Sequence, residues 1–256
     1  MAALQIHQFP CRQDNFGVLI HDADHGLTAA IDAPETGPIR AALAEKGWRL
    51  THIFTTHHHG DHIAGHAELK AETGCHITGP RKEAASIPGI DSQVGEGDSF
   101  PFGGYSVRVI ETPGHTLGHV TYWLPEAGVA FVGDTLFSLG CGRLLEGDAV
   151  MMWHSLEKLK TLPPETNIYC GHEYTKSNAA FALTIEPGNS ALQKRAKEVE
   201  QLRAQDKPTL PVTLGDELAQ NPFLRPDSPE IQEKLGQVGQ PLATIFAEIR
   251  RRKDRF

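Results

Sequence analysis

Three consecutive histidines followed by Gly-Asp-His, at residues 57–62, constrain this chain more than any other stretch. The apolar, β-branched run at 52–55 that precedes them is typical of a buried strand. The pattern at 63–73 that follows them predicts a helix ending at Gly74. The cluster therefore lies where a strand turns into a helix, which is where α/β proteins hold functional side chains on rigid elements.

The residue types in this cluster predict a metal site. Neutral imidazole and carboxylate groups are ligands for Zn, Fe and Mn. Side chains alternate along an extended backbone, so His57 and His59 share one side while Asp61 and His62 begin the next helix. We therefore expect two adjacent metal positions. The alternative is a surface histidine run or a tag remnant, but a tag would lie at a terminus without glycine and aspartate in it.

Three further side chains of the same chemical types follow strand patterns. His115, Asp134 and His172 each come directly after a glycine. A glycine there permits turns and close backbone approach that other residues resist. Because ligand sites of α/β proteins form at the carboxyl ends of strands, we expect these three side chains to join the central cluster.

The motifs together resemble those of a known family. The segment T-H-H-H-G-D-H at 56–62, with the three later residues, is similar to the metallo-β-lactamase superfamily and, within it, to glyoxalase II, the hydroxyacylglutathione hydrolases. The resemblance covers nearly the whole chain. The supporting segments are T-P-G-H-T at 112–116, F-V-G-D-T-L-F at 131–137, G-C-G-R at 140–143, C-G-H-E-Y-T at 170–175, N-P-F-L-R at 221–225 and R-R-R-K-D at 250–254.

This resemblance implies an α/β fold, the αββα metallo-β-lactamase sandwich, followed by a C-terminal all-α domain. Residues 1–172 are then a metallo-β-lactamase-like catalytic domain and residues 173–256 a helical substrate-binding domain. Strand patterns also stop near residue 173, which favours the same division. The Gly- and Pro-rich segment 80–104 is predicted to be a long loop. Helices are predicted from apolar periodicity and end signals at 38–46, 151–162, 190–205 and 242–253.

The resemblance also implies two divalent metal ions per chain, with Zn expected and Fe or Mn as alternatives. Asp134 would bridge the two ions. Paired ions lower the pKa of a shared water molecule, and Asp61 would orient the resulting hydroxide, so Asp61 and Asp134 are the expected catalytic residues. The implied ligand sets are His57, His59 and His115 for one ion, and Asp61, His62 and His172 for the other.

The implied reaction is hydrolysis of the thioester S-(R)-lactoylglutathione to D-lactate and glutathione, a step in methylglyoxal degradation. A thioester suits such a site because its thiolate leaving group needs little or no protonation. Glutathione carries two carboxylates, so cationic contacts are expected. The resemblance assigns the substrate contacts to Arg143, Tyr174, Arg250 and Lys253.

Two positions of the substrate pocket depart from the family pattern. The family has a lysine at the first and a tyrosine two residues later, where this chain has Arg143 and Leu145. Arginine keeps the charge but changes its geometry, and leucine donates no hydrogen bond. A thiol carrier other than glutathione therefore stays open.

Composition limits the other classes of partner. A net charge of -8 and a pI near 5.9 argue against a nucleic-acid binder. No stretch approaches the length of a membrane span. The four cysteines are widely spread, which is typical of reduced thiols in the cytoplasm, and Cys141 and Cys170 are interpreted as small buried residues. We expect a cytoplasmic monomer that acts on a small molecule.

Two other functions are compatible with these motifs. The first is a different enzyme of the superfamily, such as a lactamase, a lactonase or a mononuclear iron persulfide dioxygenase. The complete second ligand set and the basic C-terminus argue against the dioxygenase. The second is a non-catalytic metal-binding module, which would be expected to have lost ligands, whereas this chain has all seven.

Overall fold

Short runs of β-branched and apolar residues form the first sheet of the protein, seen in a computed structural model that describes residues 3–256. Its strands are buried along much of their length because helices and a second sheet cover its faces. The elements are β1 (Gln5–Cys11), β2 (Asn15–Asp22), β3 (Leu27–Ile31), α1 (Thr36–Lys46), β4 (His52–Phe54), α2 (Gly60–Ile63), α3 (His66–Thr73), β5 (His76–Pro80) and β6 (Ser92–Val94).

The strand order of this sheet places the histidine-rich loop at the end of a central strand. The order is β1-β2-β3-β4-β5-β6, antiparallel through β3 and parallel from β3 onwards. On one face, Leu19, Ile53 and Ile77 pack with Ile39 of α1 and Leu69 of α3. The loop after β4 therefore follows a strand that pairs with β3 and β5 and is covered on one face by α1 and α3.

A second sheet covers the other face. It includes β7 (Ser99–Phe102), β8 (Tyr105–Glu111), β9 (Val120–Leu124) and β10 (Val129–Gly133), which pair antiparallel in sequence order. Phe54 joins the sheets, with its ring 5.2 Å from that of Phe100 and 5.6 Å from that of Tyr122. The Tyr122 hydroxyl donates a 2.8 Å hydrogen bond to the carbonyl of Thr55, two residues before the histidine-rich loop begins at His57.

The prediction of a long loop at 80–104 is wrong. The segment contains a 3₁₀ helix (Arg81–Ser86), β6 and β7. Both strands are short and lie at sheet edges, and side chains such as Gln93 and Ser99 are exposed. Edge strands of three or four residues carry little apolar alternation, so Gly and Pro dominate the sequence pattern.

The remaining chain is mainly helical. The predicted helices near 38, 151, 190 and 242 are all present, with bounds that differ by about two residues, as expected of helix ends. The elements are β11 (Leu136–Phe137), β12 (Gly140–Cys141), α4 (Ala149–Lys160), β13 (Asn167–Cys170), α5 (Thr175–Ile185), α6 (Ser190–Arg203), β14 (Val212–Thr213), α7 (Leu214–Gln220), a 3₁₀ helix (Pro222–Leu224), α8 (Pro229–Leu235) and α9 (Leu242–Lys253).

Contacts group the chain into two units. The amino-terminal unit comprises the residues up to Glu111 together with Thr116–Gly133, and the carboxyl-terminal unit comprises Thr112–His115 together with Asp134–Phe256. Within residues 3–256, no helix is both long enough and apolar enough to cross a bilayer. The predicted domain boundary at 172/173 is a separate division and stays a prediction.

Candidate metal centre

The segment that runs from the end of β4 into α2 carries four predicted ligands within the amino-terminal unit. The ring centroid of His57 lies 4.8 Å from that of His59 and 4.1 Å from that of His62. Asp61 Oδ2 lies 3.7 Å from His62 Nε2. Three imidazoles and one carboxylate thus converge at a single strand-to-helix turn.

Asp32, which directly follows β3, holds this turn through hydrogen bonds to Thr56 and His62. Its Oδ2 atom accepts a 2.8 Å hydrogen bond from His62 Nδ1, and its Oδ1 atom accepts one of 2.7 Å from the Thr56 backbone N–H. The Thr56 hydroxyl also donates to Asp32 Oδ2, so its lone pair accepts from His57 Nδ1 at 3.0 Å. Both rings therefore carry their lone pair on Nε2, and a hydrogen bond at the other ring nitrogen is common among metal-binding histidines.

Asp61 is positioned from β2. The buried Asn15 side chain donates from Nδ2 to Asp61 Oδ2 and to the Asp61 carbonyl, each at 3.2 Å. These two contacts tie the carboxylate to its own backbone. Asn15 and Asp32 are not predicted from the sequence as site residues, because neither belongs to a motif and each contact spans more than twenty residues of chain.

Gly133 shows why a glycine precedes a ligand in this protein. Its φ is +46°, and an added Cβ would lie 2.5 Å from His119 Nε2 and 2.6 Å from Thr56 Oγ1. No side chain fits in that space. The predicted close approach of the backbone before Asp134 is thus confirmed at Gly133.

The carboxyl-terminal unit brings the other three predicted ligands together. Asp134 Oδ2 lies 3.4 Å from His115 Nε2 and 3.3 Å from His172 Nε2, and all three side chains are buried. His115 Nδ1 donates to the Arg143 carbonyl at 2.8 Å, so its Nε2 also carries the lone pair. One carboxylate flanked by two imidazoles is a donor set suited to divalent metal ions.

Comparison with known proteins gives the family of this fold and site. Residues 25–172 match the family model of the metallo-β-lactamase superfamily, and residues 173–256 match that of the hydroxyacylglutathione hydrolase C-terminus. The chain is 56% identical to hydroxyacylglutathione hydrolase of Rhizobium etli over all 256 residues, which are 100% of both chains. It is 57% identical to the enzyme of Brucella ovis over 253 residues, covering 99% of this chain and 98% of that one.

The chain belongs to the hydroxyacylglutathione hydrolase family. Among solved structures, it is similar to ETHE1 from Myxococcus xanthus, with a TM-score of 0.67, 25% identity and coverage of 97% of this chain and 98% of that one. The family and the metallo-β-lactamase fold predicted from the motifs are therefore confirmed, and the protein is a metal-dependent hydrolase. Its clusters of His and Asp side chains fit divalent metal ions, because their nitrogen and oxygen atoms lie close together. The Nδ1 atoms of His62 and His115 are already hydrogen-bonded, so the Nε2 atoms carry the lone pairs.

A cavity of about 530 Å³ in the carboxyl-terminal unit adjoins the Asp134 cluster. The four residues of this chain that are predicted to contact the substrate all line this cavity. Leu145 also lines it and is 53% exposed. The residues with assigned substrate contacts are Arg143, Tyr174, Arg250 and Lys253.

Tyr174 packs on a predicted ligand, and Arg250 is held by β12 and by its own helix. The Tyr174 ring stacks on that of His172 at 4.8 Å with an interplanar angle of 3°. Arg250 is buried, donates from Nη1 to the Cys141 carbonyl at 2.9 Å and lies 2.8 Å from Asp254 through Nη2. These contacts fix both side chains at the inner wall of the cavity.

Lys253 has an altered acidity. Its Nζ atom donates to Ser177 Oγ at 3.0 Å and lies 5.3 Å from the centroid of the Phe181 ring. Burial first, and then the nearby Arg250 charge, lower the pKa of Lys253 to about 8. The charge that this residue offers to an anionic ligand therefore depends on pH in the mildly alkaline range.

Residues of α7 and its end hold the 136–141 hairpin formed by β11 and β12. Glu217 accepts hydrogen bonds from the Leu139 backbone N–H at 2.9 Å and from Ser138 Oγ at 3.0 Å. Asn221 Nδ2 donates to the Gly140 carbonyl at 2.9 Å. Burial raises the pKa of the Glu217 carboxyl to about 7, against these hydrogen bonds. Glu217 belongs to none of the motifs that the sequence shows.

The cysteines near the site are not activated. Burial raises the pKa of Cys141 to about 11 and that of Cys170 well above its usual range. A thiolate nucleophile requires the opposite shift. The interpretation of Cys141 and Cys170 as small buried residues is confirmed.

Proposed function

We propose that this protein hydrolyses S-(R)-lactoylglutathione to D-lactate and glutathione with two divalent metal ions per chain. Zn is the expected metal, and Fe and Mn are the alternatives, since His and carboxylate donors accept all three. The observation that carries the proposal is the cavity that joins His115 and Asp134 to Arg143, Arg250 and Lys253. A cationic wall beside a metal-type cluster suits a thioester whose thiol part carries two carboxylates.

The proposed metal centre uses the seven imidazole and carboxylate donors that the sequence predicts. Asp134 would help to hold both ions, because its Oδ2 atom lies close to Nε2 of His115 and of His172, which belong to different proposed ligand sets. The contacts of Asp32 and Thr56 support His57 and His62 as proposed ligands, because a hydrogen bond at Nδ1 leaves the lone pair on Nε2. The proposed ligand sets are His57, His59 and His115 for one ion, and Asp61, His62 and His172 for the other.

When bound, paired metal ions lower the pKa of a water molecule and polarise the thioester carbonyl. Asp61, held by Asn15, would accept a hydrogen bond from the attacking water and orient it towards the carbonyl carbon. The carbon–sulfur bond then breaks and the sulfur leaves as a thiolate. This leaving group needs no proton donor, and the thiols of Cys141 and Cys170 are buried and protonated.

The thiol part of the substrate would lie in the cavity of the carboxyl-terminal unit. Arg250 and Lys253 would contact a carboxylate, and Tyr174 would close the side next to His172. Arg143 would bring a second positive charge, with a planar guanidinium in place of an ammonium. We also propose that the enzyme is a cytoplasmic monomer, in keeping with its four reduced cysteines.

The deciding experiment measures metal content and hydrolysis together. Protein with quantified Zn, Fe and Mn is assayed on lactoyl thioesters of glutathione, coenzyme A and cysteine, with oxygen uptake on glutathione persulfide recorded in parallel. The proposal expects two ions per chain and the highest kcat/KM on the glutathione thioester. One tightly bound iron with oxygen uptake, or two bound ions with no thioester hydrolysis, would overturn it.

A further inference from the structure

Glu83 is a buried carboxylate without an assigned role beside the histidine-rich loop. It lies in the 3₁₀ helix Arg81–Ser86 and is 7% exposed. Its Oε2 atom accepts a 2.7 Å hydrogen bond from the His58 backbone N–H and lies 2.9 Å from His58 Nδ1. Its Oε1 atom accepts a 2.8 Å hydrogen bond from the Gly118 backbone N–H. One side chain therefore joins two loops of the amino-terminal unit.

Both of these loops bear on the predicted ligands. His58 lies between His57 and His59, and its ring centroid is 5.2 Å from that of His59. Gly118 precedes His119, whose ring stacks on that of His57 with centroids 4.9 Å apart. A group that fixes His58 and Gly118 thus fixes the direction of His57 through its own backbone and through its ring neighbour.

The contact with Gly118 is closely fitted. A Cβ added at this position would lie 2.6 Å from Glu83 Cγ and 2.8 Å from Lys82 Cβ. Any larger residue would push the 116–119 loop away from the 3₁₀ helix. The contact therefore depends on both residues, and a substitution of either Gly118 or Glu83 is expected to disturb it.

We propose that Glu83 is a positioning residue for the metal site, acting as a clamp that holds the 57–59 segment, which carries two predicted ligands, against the 116–119 loop, which packs on His57. Replacing a group that orients a metal ligand through a hydrogen bond typically lowers metal affinity or activity by about 10- to 100-fold. The clamp rests on the proposed metal centre, but it does not depend on which thioester is hydrolysed.

The test compares metal binding by Glu83→Gln with that of the unsubstituted protein. Glutamine keeps the size of the side chain but replaces one acceptor oxygen by an N–H donor, so one backbone N–H loses its acceptor. Metal-free protein is titrated with Zn²⁺ against a chromophoric chelator, and the visible spectrum of the Co²⁺-loaded protein is recorded. We expect zinc affinity to fall by about tenfold or more, with a changed Co²⁺ spectrum.

Asp22→Asn is the matched control. Asp22 is also buried in the amino-terminal unit, accepts a 2.8 Å hydrogen bond from the Gly104 backbone N–H and lies 2.8 Å from His25 Nδ1. It contacts no predicted ligand. We expect this variant to lower thermal stability while its zinc affinity and Co²⁺ spectrum stay those of the unsubstituted protein.

Gly118→Ala provides a second route to the same disturbance with Glu83 intact, and is measured if Glu83→Gln does not fold. Unchanged affinity and spectrum in the folded variants, or an equal loss of affinity in Asp22→Asn, would overturn the clamp. Zinc binding is measured without any substrate. The test of the clamp therefore stays valid even if the protein does not hydrolyse lactoylglutathione.

Discussion

Asp32 Oδ2 lies 2.8 Å from His62 Nδ1, at the point where β3 ends in a residue of positive φ. The same carboxylate also accepts from the backbone and hydroxyl of Thr56. Three donors on the ligand loop therefore depend on one side chain that no motif includes. Its contribution can be tested without altering any proposed ligand.

Asp32→Asn is expected to weaken zinc binding by about 10- to 100-fold, because one acceptor oxygen is replaced by an amide N–H. Asparagine tolerates the φ of +57° at this position, so the backbone is retained. Zinc titration of the metal-free variant measures the effect. Asp206→Asn repeats the substitution at an exposed residue with φ of +54°, and it should bind zinc normally. Equal affinities in both variants would contradict the role of Asp32.

Asp134→Ala is expected to abolish thioester hydrolysis and metal retention together. Without its carboxylate, the imidazoles of His115 and His172 lose the oxygen that lies between them. Metal analysis after gel filtration and a hydrolysis assay measure both effects. Asp148→Ala is the control, since it removes the N-cap of α4 and costs about 1 kcal/mol of stability without touching a ligand. Intact turnover in the Asp134 variant would remove the bridging role.

The kcat/KM of the enzyme is expected to fall as pH rises through about 8, because Lys253 loses its proton and its charge there. The lowered pKa means that the cation is fully present only well below that pH. Lys253→Arg keeps a cation at all working pH values, so its profile should stay flat in this range. A thioester of a thiol without carboxylates serves as the control substrate. A fall of equal size in Lys253→Arg would exclude Lys253 as its source.

Glu217 is expected to make the stability of the protein depend on pH. Burial raises its pKa from 4.5 to about 7, so the folded state keeps a proton that the unfolded chain releases between these values. Its favourable contribution is complete below the unfolded pKa and is lost as pH rises through the folded one, at about 1.4 kcal/mol per unit of pKa difference. Urea unfolding of metal-free protein measures this at about pH 5 and about pH 8.

Glu217→Gln carries no titrating group at this position and is the comparison for that experiment. The unfolding free energy of the unsubstituted protein should fall between the two pH values relative to the variant. Parallel pH profiles for the two proteins would show that Glu217 does not titrate in this range.

The sequence predicted the residues whose chemistry is local. The histidine-rich loop is six consecutive residues, and the strand-end glycines mark His115, Asp134 and His172 without knowledge of the fold. The side chains that hold these residues follow no local pattern. Asn15 and Glu83 reach loops 46 and 25 residues away, and such contacts depend on strand order, which periodicity does not specify.

Arg250 donates to the Cys141 carbonyl within the 136–141 hairpin and also lines the cavity. Arg250 therefore both supports the hairpin and lines the substrate cavity. A substitution of Arg250 that allowed another thiol to bind would also remove a hydrogen bond from the hairpin that follows Asp134. Positions 143 and 145 carry exposed side chains and are less restricted. Divergence among related enzymes in the thiols they accept should therefore concentrate at these two rim positions, where this chain already differs from the family pattern.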